Sequence, residues 1–437
     1  MSLIEPTAAE VTEASSAEAK AWEEIREREP RNLLALSAHY IVLRIAWVFK
    51  TESVIMPAFL DTIAGAGWVR GCLPILNRFG QSVPPIMLAS RLSSYPQKKW
   101  AVLATTLMMA VPFLILSTIW MTVEQGRQTW LPAVFLGLYV LFFAATGLNQ
   151  LAFGTLQGKL IRADRRGRLL SIAGIVGSVV SIICVWFVMR RWLELPDHGF
   201  GYIFAFTGIG LVASALVCLC VSEPSVHRAN GGGKSGRPFA DAWSLFRSDR
   251  HFRRFAVVAM LFVTSQTLFP HYQALGRNRP QQWDDLDLMM WVIAQNAAVG
   301  VFALLSGSLA DATGNRLALR LQVFCVALTP LSALILVGER FQTGPDLFWL
   351  TFCLLGMTPV TFRTLTNYAL ELSHHDDHPR YISTLKLFMA IPFLFSPLIG
   401  LLVDVVGFAT VFLTVSALVM LGGILTFRMI EPRYDLE

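Results

Sequence analysis

About twelve times along its 437 residues, the chain passes from a short charged break into an apolar run long enough to cross a bilayer. A spanning helix needs about 20 mostly apolar residues. By that measure the runs predict helices near 33–59, 67–90, 100–122, 130–155, 168–189, 200–221, 253–275, 286–309, 317–337, 346–372, 381–403 and 408–430. Only 15% of residues are charged and mean hydropathy is +0.54, against about 25% charged in an average soluble domain. The deficit runs along nearly the whole chain, so a single anchor does not account for it. The expectation is an all-α polytopic membrane protein, because a helix pairs its own backbone groups where no water is present. The second and seventh runs are the weakest, interrupted by Arg70 and Arg78, and by Gln266 and His271.

Residues 1–32 read as a cytoplasmic tail. They are acidic and Ala-rich, lack the basic-then-apolar order of a secretory signal, and suggest a short surface helix around Ala17–Arg28. Lys and Arg set the expected orientation. With the N-terminus inside, the inner loops hold Arg91, Lys98 and Lys99, then Lys159, Arg162, Arg165, Arg166 and Arg168, then seven between Arg228 and Arg254, then Arg316, Arg320 and Arg380. The outer loops hold only Arg127, Arg190, Arg191, Arg277, Arg279 and Arg340. Both termini are therefore expected in the cytoplasm, the membrane being a bacterial inner membrane. The net charge of +6 is explained by these loops rather than by a nucleic-acid partner. All six cysteines lie in apolar runs without metal-site spacing, so they read as packing residues.

The longest internal hydrophilic stretch, residues 223–252, contains Gly231-Gly232-Gly233 and then a basic amphipathic piece, DAWSLFRSDRHFRRF. It reads as a flexible cytoplasmic linker followed by a segment on the inner membrane surface. It divides a six-helix unit at 33–222 from another at 253–432, with a short tail at 433–437. The units echo each other. One closes on Ser222-Glu223-Pro224, the other on Ile430-Glu431-Pro432. Just over fifty residues earlier each has a basic residue opening its fifth span, Arg168 and Arg380, followed by Leu-Leu-Ser and Tyr-Ile-Ser. Two pseudo-symmetric six-helix bundles are the expected arrangement.

After the eighth span stands Gly307-Ser308-Leu309-Ala310-Asp311-Ala312-Thr313-Gly314-Asn315-Arg316. With twelve spans and a central loop, this resembles the G-x-L-a-D-r-x-G-r-r loop of major facilitator superfamily transporters, over nearly all of residues 33–432. The resemblance implies a secondary transporter working by alternating access, without a cofactor or a metal, as a monomer in the lipid bilayer. It implies a gating set of Gly307, Asp311, Gly314 and Arg316, joined by Glu371, Arg168 and Arg380. The first-half copy departs from the pattern, since Ser90 stands where the acid belongs. The fifth span has Gly174 and Gly177 but no proline, unlike the drug–proton antiporters of the family, while Ser396-Pro397-Leu398-Ile399-Gly400 lies in the eleventh.

The first span carries Arg44, Lys50 and Glu52. A charge at bilayer depth costs about 2.5–3.5 kcal/mol even on lenient scales and faces a cavity or a partner. If the family reading holds, this span lines a central cavity. At about 100° per residue, Ser37, Arg44 and Thr51 share a stripe, with Glu52 at its edge. On the same geometry Lys50 and Glu52 point nearly oppositely and do not pair. Arg363, Asn367 and Glu371 recur every fourth residue in the tenth span, and Arg78 is near the middle of the second. Asn149, Gln150, Gln157, Gln295 and Asn296 add amides that serve either a ligand or helix–helix hydrogen bonds. Lys386 reads as a snorkelling side chain. The candidate substrate residues are Arg44, Arg78, Arg363, Asn367, Thr51, Asn149 and Gln295, with Glu52 the candidate for proton coupling.

Deep arginines suit an organic anion, because a guanidinium offers a fork to carboxylate or phosphate. Pairing with Glu52 and Glu371 would instead leave room for a neutral solute or a drug. The chain has no G-x-x-x-x-G-K-[ST] phosphate loop, and no nucleophile elbow marks an enzyme. The nearest approach to a metal cluster is His374-His375-Asp376-Asp377-His378, read as a solvated turn. A transporter-like receptor that moves nothing is the alternative of another class.

Overall fold

The computed structural model describes residues 8–94, 97–123, 128–195, 198–224, 238–277, 285–338, 343–373 and 377–432. The linker glycines 231–233 and the 374–376 part of the His-rich turn lie outside them. The described chain is helical. In the first half the helices are α1 (Ala8–Phe49), α2 (Ile55–Ile63), α3 (Gly67–Ser94), α4 (Lys98–Thr122), α5 (Leu131–Leu160), α6 (Ala163–Cys184), α7 (Arg190–Leu193) and α8 (Gly199–Val217). The link is α9 (Pro238–Ser248). In the second half they are α10 (Arg250–Val263), α11 (Phe269–Arg277), α12 (Asp285–Thr313), α13 (Asn315–Val337), α14 (Gly344–Leu347), α15 (Trp349–Leu355), α16 (Met357–Leu372), α17 (His378–Ala390) and α18 (Ser396–Leu425).

Among the described residues, ten stretches are long and apolar enough to cross a membrane. Helix α3 adds a further crossing that its polar residues hide from hydropathy. The stretch Arg380–Arg428 holds two crossings, because Gly407, at φ +85°, reverses the chain inside α18. Glycine reaches that conformation at little steric cost. The count is therefore the expected twelve, in a multi-pass membrane protein.

Two boundaries differ from expectation. The first span does not run to residue 59: α1 ends at Phe49, residues 50–54 turn, and α2 begins at Ile55. The turn is held by the Thr51 hydroxyl donating to the Val48 carbonyl at 2.5 Å. Nor is the Ala17–Arg28 segment a separate short helix, since α1 is continuous from Ala8.

Each half is tied at the face carrying the ends of α8 and α18, here the terminal face, and both ties use the same device. Glu223 is buried just past α8. It accepts from the backbone N–H of Lys98 at 2.9 Å and of Lys99 at 2.8 Å, and from Lys159 Nζ at 2.8 Å. Glu431 does the same past α18, accepting from the Arg316 N–H at 2.9 Å. A carboxylate satisfies the bare N–H groups at a helix start and meets the positive end of its dipole. Gly314, at φ +87°, packs against the Glu431 carboxylate, and any Cβ there would collide with it.

Glu223→Ala leaves Lys159 and two backbone donors without their buried acceptor. Breaking such a set costs about 3 kcal/mol or more, so the detergent-solubilised variant melts several degrees lower while Glu223→Gln loses less. A Glu223→Ala melting curve superimposed on the wild type contradicts the cap.

Candidate functional site

Between the halves lies a cavity of about 440 Å³. From the first half it is lined by Glu52, Asn77, Arg78, Gln81, Tyr139 and Gln150 among others, and from the second by Gln266, Phe269, Pro359, Phe362 and Phe393. Its polar wall comes from the helix break after Phe49 and from α3, where Asn77, Arg78 and Gln81 fall on neighbouring turns.

The break answers how three charges are tolerated in the first apolar run. Lys50 is 1% exposed, and its ammonium lies 3.3 Å from the Trp47 ring centroid, with the Phe142 and Phe143 rings at 4.8 and 4.9 Å. Its Nζ sits 2.6 Å from Glu52 Oε1. The pairing contradicts the helical-wheel expectation. The wheel assumes 100° per residue, and residues 50–54 are not helical, so Lys50 and Glu52 turn toward each other. Glu52 Oε2 accepts from Asn77 Nδ2, and Asn77 Oδ1 accepts from Gln81 Nε2. Both carboxylate oxygens are thus held by the protein.

Arg78 is placed differently. Its guanidinium stands 4.7 Å from the centroid of Phe393 and 5.4 Å from that of Phe362, two rings from the opposite half. Its side chain makes no hydrogen bond or ion pair among the described residues. Rings hold a guanidinium through its face and leave its N–H edge for a ligand. Arg44 donates to Asn296 Oδ1 at 3.1 Å across the halves and lies within electrostatic range of Arg363. Arg363 and Asn367 are exposed on α16, toward the terminal face.

The remaining candidates divide. Gln295 is engaged by Ser53, whose hydroxyl donates to its Oε1 at 2.5 Å. Thr51 is spent on the α1 end. Asn149 does not reach the cavity: its amide donates to Thr105 at 3.1 Å and Thr106 at 2.7 Å, joining α5 to α4. The alternative reading of the amides, helix–helix bonding, describes it. Of the gating set, Asp311 is exposed, the α13 start being held by Glu431, and Gly307 borders open space. Glu371 is partly buried on α16, and the side chain of Arg168 lies outside the described residues. Arg380 donates to Ser244 Oγ at 3.2 Å, tying α17 to α9.

Sequence reasoning missed the joint between the halves at the face opposite the termini. There α18 supplies Asp404, whose carboxylate accepts from the Gly67 N–H at 2.8 and 3.0 Å and from the Trp68 N–H at 3.3 Å. It caps the start of α3 from the other half. Gly67, Gly71 and Gly400 make the contact: a Cβ on Gly71 would stand 2.5 Å from the Ser396 carbonyl. Beside it Asp61 binds Arg70 of its own half and accepts from Gln273 Nε2 of the other at 2.6 Å. The i, i+4 pair Gly67 and Gly71 was the available signal for a close helix crossing. The far face is closed by these bonds, while Arg363 and Asn367 of the α16 stripe are exposed toward the terminal face.

The family model for the Major Facilitator Superfamily matches residues 33–358. The chain belongs to the Major Facilitator Superfamily and is a membrane transporter of solutes. Solved structures of that class share its fold. A mutant form of the nucleoside transporter NupG is similar with TM-score 0.71 at 14% identity, over 91% of this chain and 99% of that one. A POT family transporter in complex with 5-aminolevulinic acid aligns with TM-score 0.70 at 12% identity, over 93% and 97%. The human organic anion transporter MFSD10 aligns with TM-score 0.59 at 14% identity, over 91% and 99%. A search of curated proteins found no match.

Asp404→Ala removes a charged acceptor worth about 1.5–3 kcal/mol from the closed far face. A cysteine placed at Gln266 in the cavity then reacts with an impermeant thiol reagent from the far side roughly tenfold faster. An unchanged rate means Asp404 does not hold the far face closed.

Proposed function

We propose that the chain is a secondary active transporter carrying a small organic anion by alternating access, with the proton as coupling ion. The observation that carries the anion is Arg78: a guanidinium stacked on Phe362 and Phe393, with no acceptor among the described residues, on the wall of the central cavity. The lining acid, Glu52, already has both oxygens engaged by Lys50 and Asn77. The positive charge facing the cavity is therefore the less compensated one. Arg44 and Arg363 add positive charge nearby, so carboxylate or phosphate is favoured over a cation. Both termini are cytoplasmic in this reading, on the loop-charge asymmetry, and the structure is then an inward-open form. Cysteine labelling of sealed cells reads the orientation: Gln342→Cys reacts from outside and Gly232→Cys does not.

A thermal-shift panel of carboxylates and organic phosphates on the purified protein selects the anion, and uptake into proteoliposomes then tests the site. Arg78→Ala raises the apparent KM for that anion about ten- to a hundredfold, the worth of one charged hydrogen bond. Arg78→Lys keeps the charge but loses the fork, so it falls between. Wild-type KM in Arg78→Ala removes the anion reading.

Glu52 is the coupling group in this reading because it joins the cavity to the helix break. Protonation would release Lys50 and Asn77 together, and Glu52 is next in the chain to Ser53, which makes the bond to Gln295 between the halves. Glu52→Gln abolishes accumulation driven by a pH gradient and spares exchange at equal pH. Continued accumulation against a gradient assigns coupling elsewhere.

A further inference from the structure

Helix α9 is separated from the membrane-crossing α10 by a single residue, Asp249. Asp249 caps α10, accepting from the N–H groups of His251 and Phe252 at 2.8 and 2.9 Å, and takes the Tyr381 hydroxyl of α17 at 2.6 Å. So short and so firmly held a link keeps α9 at the level where α10 leaves the hydrocarbon. One face of α9 is consumed by the protein: Ala242 and Leu245 are buried, and Phe246 stacks on Phe388 of α17 at 4.4 Å. Among the described residues the neighbouring face is left exposed, Trp243 stacking on Phe246 of its own helix at 5.7 Å. Phe239 is 74% and Trp243 is 54% exposed, and with Arg247 they recur every fourth residue, one line along a helix.

Exposed arginines stand on this line and around the α9–α10 junction. The Arg247 guanidinium lies 5.9 Å from the Trp243 ring centroid, and Arg247, Arg250 and Arg428 are exposed. None of these three side chains makes a hydrogen bond or ion pair among the described residues. Their neighbours Arg253 and Arg254 are engaged by the carbonyls of Arg247 and Arg428, both at 3.0 Å. Of the nearby acids, Asp249 is spent on the cap, and Asp241 lies about 200° round the helix from Phe239.

We propose that α9 is a docking surface for anionic phospholipid. Phe239 and Trp243 enter the upper acyl layer while Arg247 and Arg250, on either side of the Asp249 link, take the headgroup phosphate. Aromatic side chains settle at the boundary between headgroups and hydrocarbon, and a basic amphipathic helix lies in that plane. Arginine matches a phosphodiester with two parallel N–H donors. The bonds of α9 to α10 and α17 place this face in advance, so binding orders nothing further. The proposal is independent of the cargo and of which membrane face is cytoplasmic.

The test uses the full chain in vesicles of phosphatidylcholine with about 30% phosphatidylglycerol, an anionic fraction high enough to set a surface potential, bromine being carried on the acyl chains of one lipid or the other. The Trp243 signal is the difference between wild type and Trp243→Phe. At equal mole fraction, brominated phosphatidylglycerol quenches Trp243 several-fold more than brominated phosphatidylcholine. Arg247→Gln with Arg250→Gln brings the ratio toward one, since each arginine near the surface is worth about a fivefold preference. High salt has the same effect. Equal quenching by both lipids in the wild type overturns the proposal and leaves an ordinary bilayer contact. Quenching by neither overturns it in favour of a soluble anion or a protein partner.

Discussion

A polar group left alone in hydrocarbon costs several kcal/mol, and this constraint orders the deep polar chemistry of the molecule. Lys50 shows how it is met. The ammonium is enclosed by Trp47, Phe142 and Phe143 and neutralised by Glu52. That pair requires the chain to leave helical geometry after Phe49, and the break in turn lets Glu52 face α3. Asn77 and Gln81 then complete a line of bonds along the cavity wall. Arg78 is the deep cation on this wall with rings but no acceptor among the described residues, which leaves its N–H edge free toward the cavity.

The same constraint acts at helix ends. Four N–H groups at each helix start lack partners within the helix. Glu223 and Glu431 supply acceptors at equivalent places in the two halves, and Asp404 supplies one across the joint between them. The first two lie within a half and hold its helices together. The third joins halves that must separate if access alternates. A bond to a backbone N–H of the other half can be replaced by water when the far face hydrates, so it suits a reversible closure.

The two halves share one plan but divide the site unequally. The first supplies most of the polar lining, from the α1–α2 break and α3. The second supplies the rings that orient Arg78, from α16 and the 3₁₀ turn before α18. Neither half alone makes the guanidinium platform. A ligand bound there would touch both, and in that way it would influence their relative position.

The helices and their number were legible in the chain, because crossing a bilayer imposes a local rule of length and apolarity. The repeated Glu-Pro endings also pointed to matched halves, and both glutamates perform the same cap. Arg78 could be picked out by depth alone. Its rings could not, since Phe362 and Phe393 are far away along the chain and pack beside it only when the halves meet. The pairing of Lys50 with Glu52 was read wrongly, because a helical wheel fails at the residue where the helix stops. Asn149 looked like Gln150, its neighbour in the chain. One turns into the α4–α5 contact and the other lines the cavity, an outcome set by the rotation of α5 in its bundle. Asp404 carried no mark of its role in the chain, because a cap on a helix of the other half exists only in three dimensions. Local free energies of transfer wrote the spans into the sequence; the partners of the polar groups were decided by which helices the fold brought together.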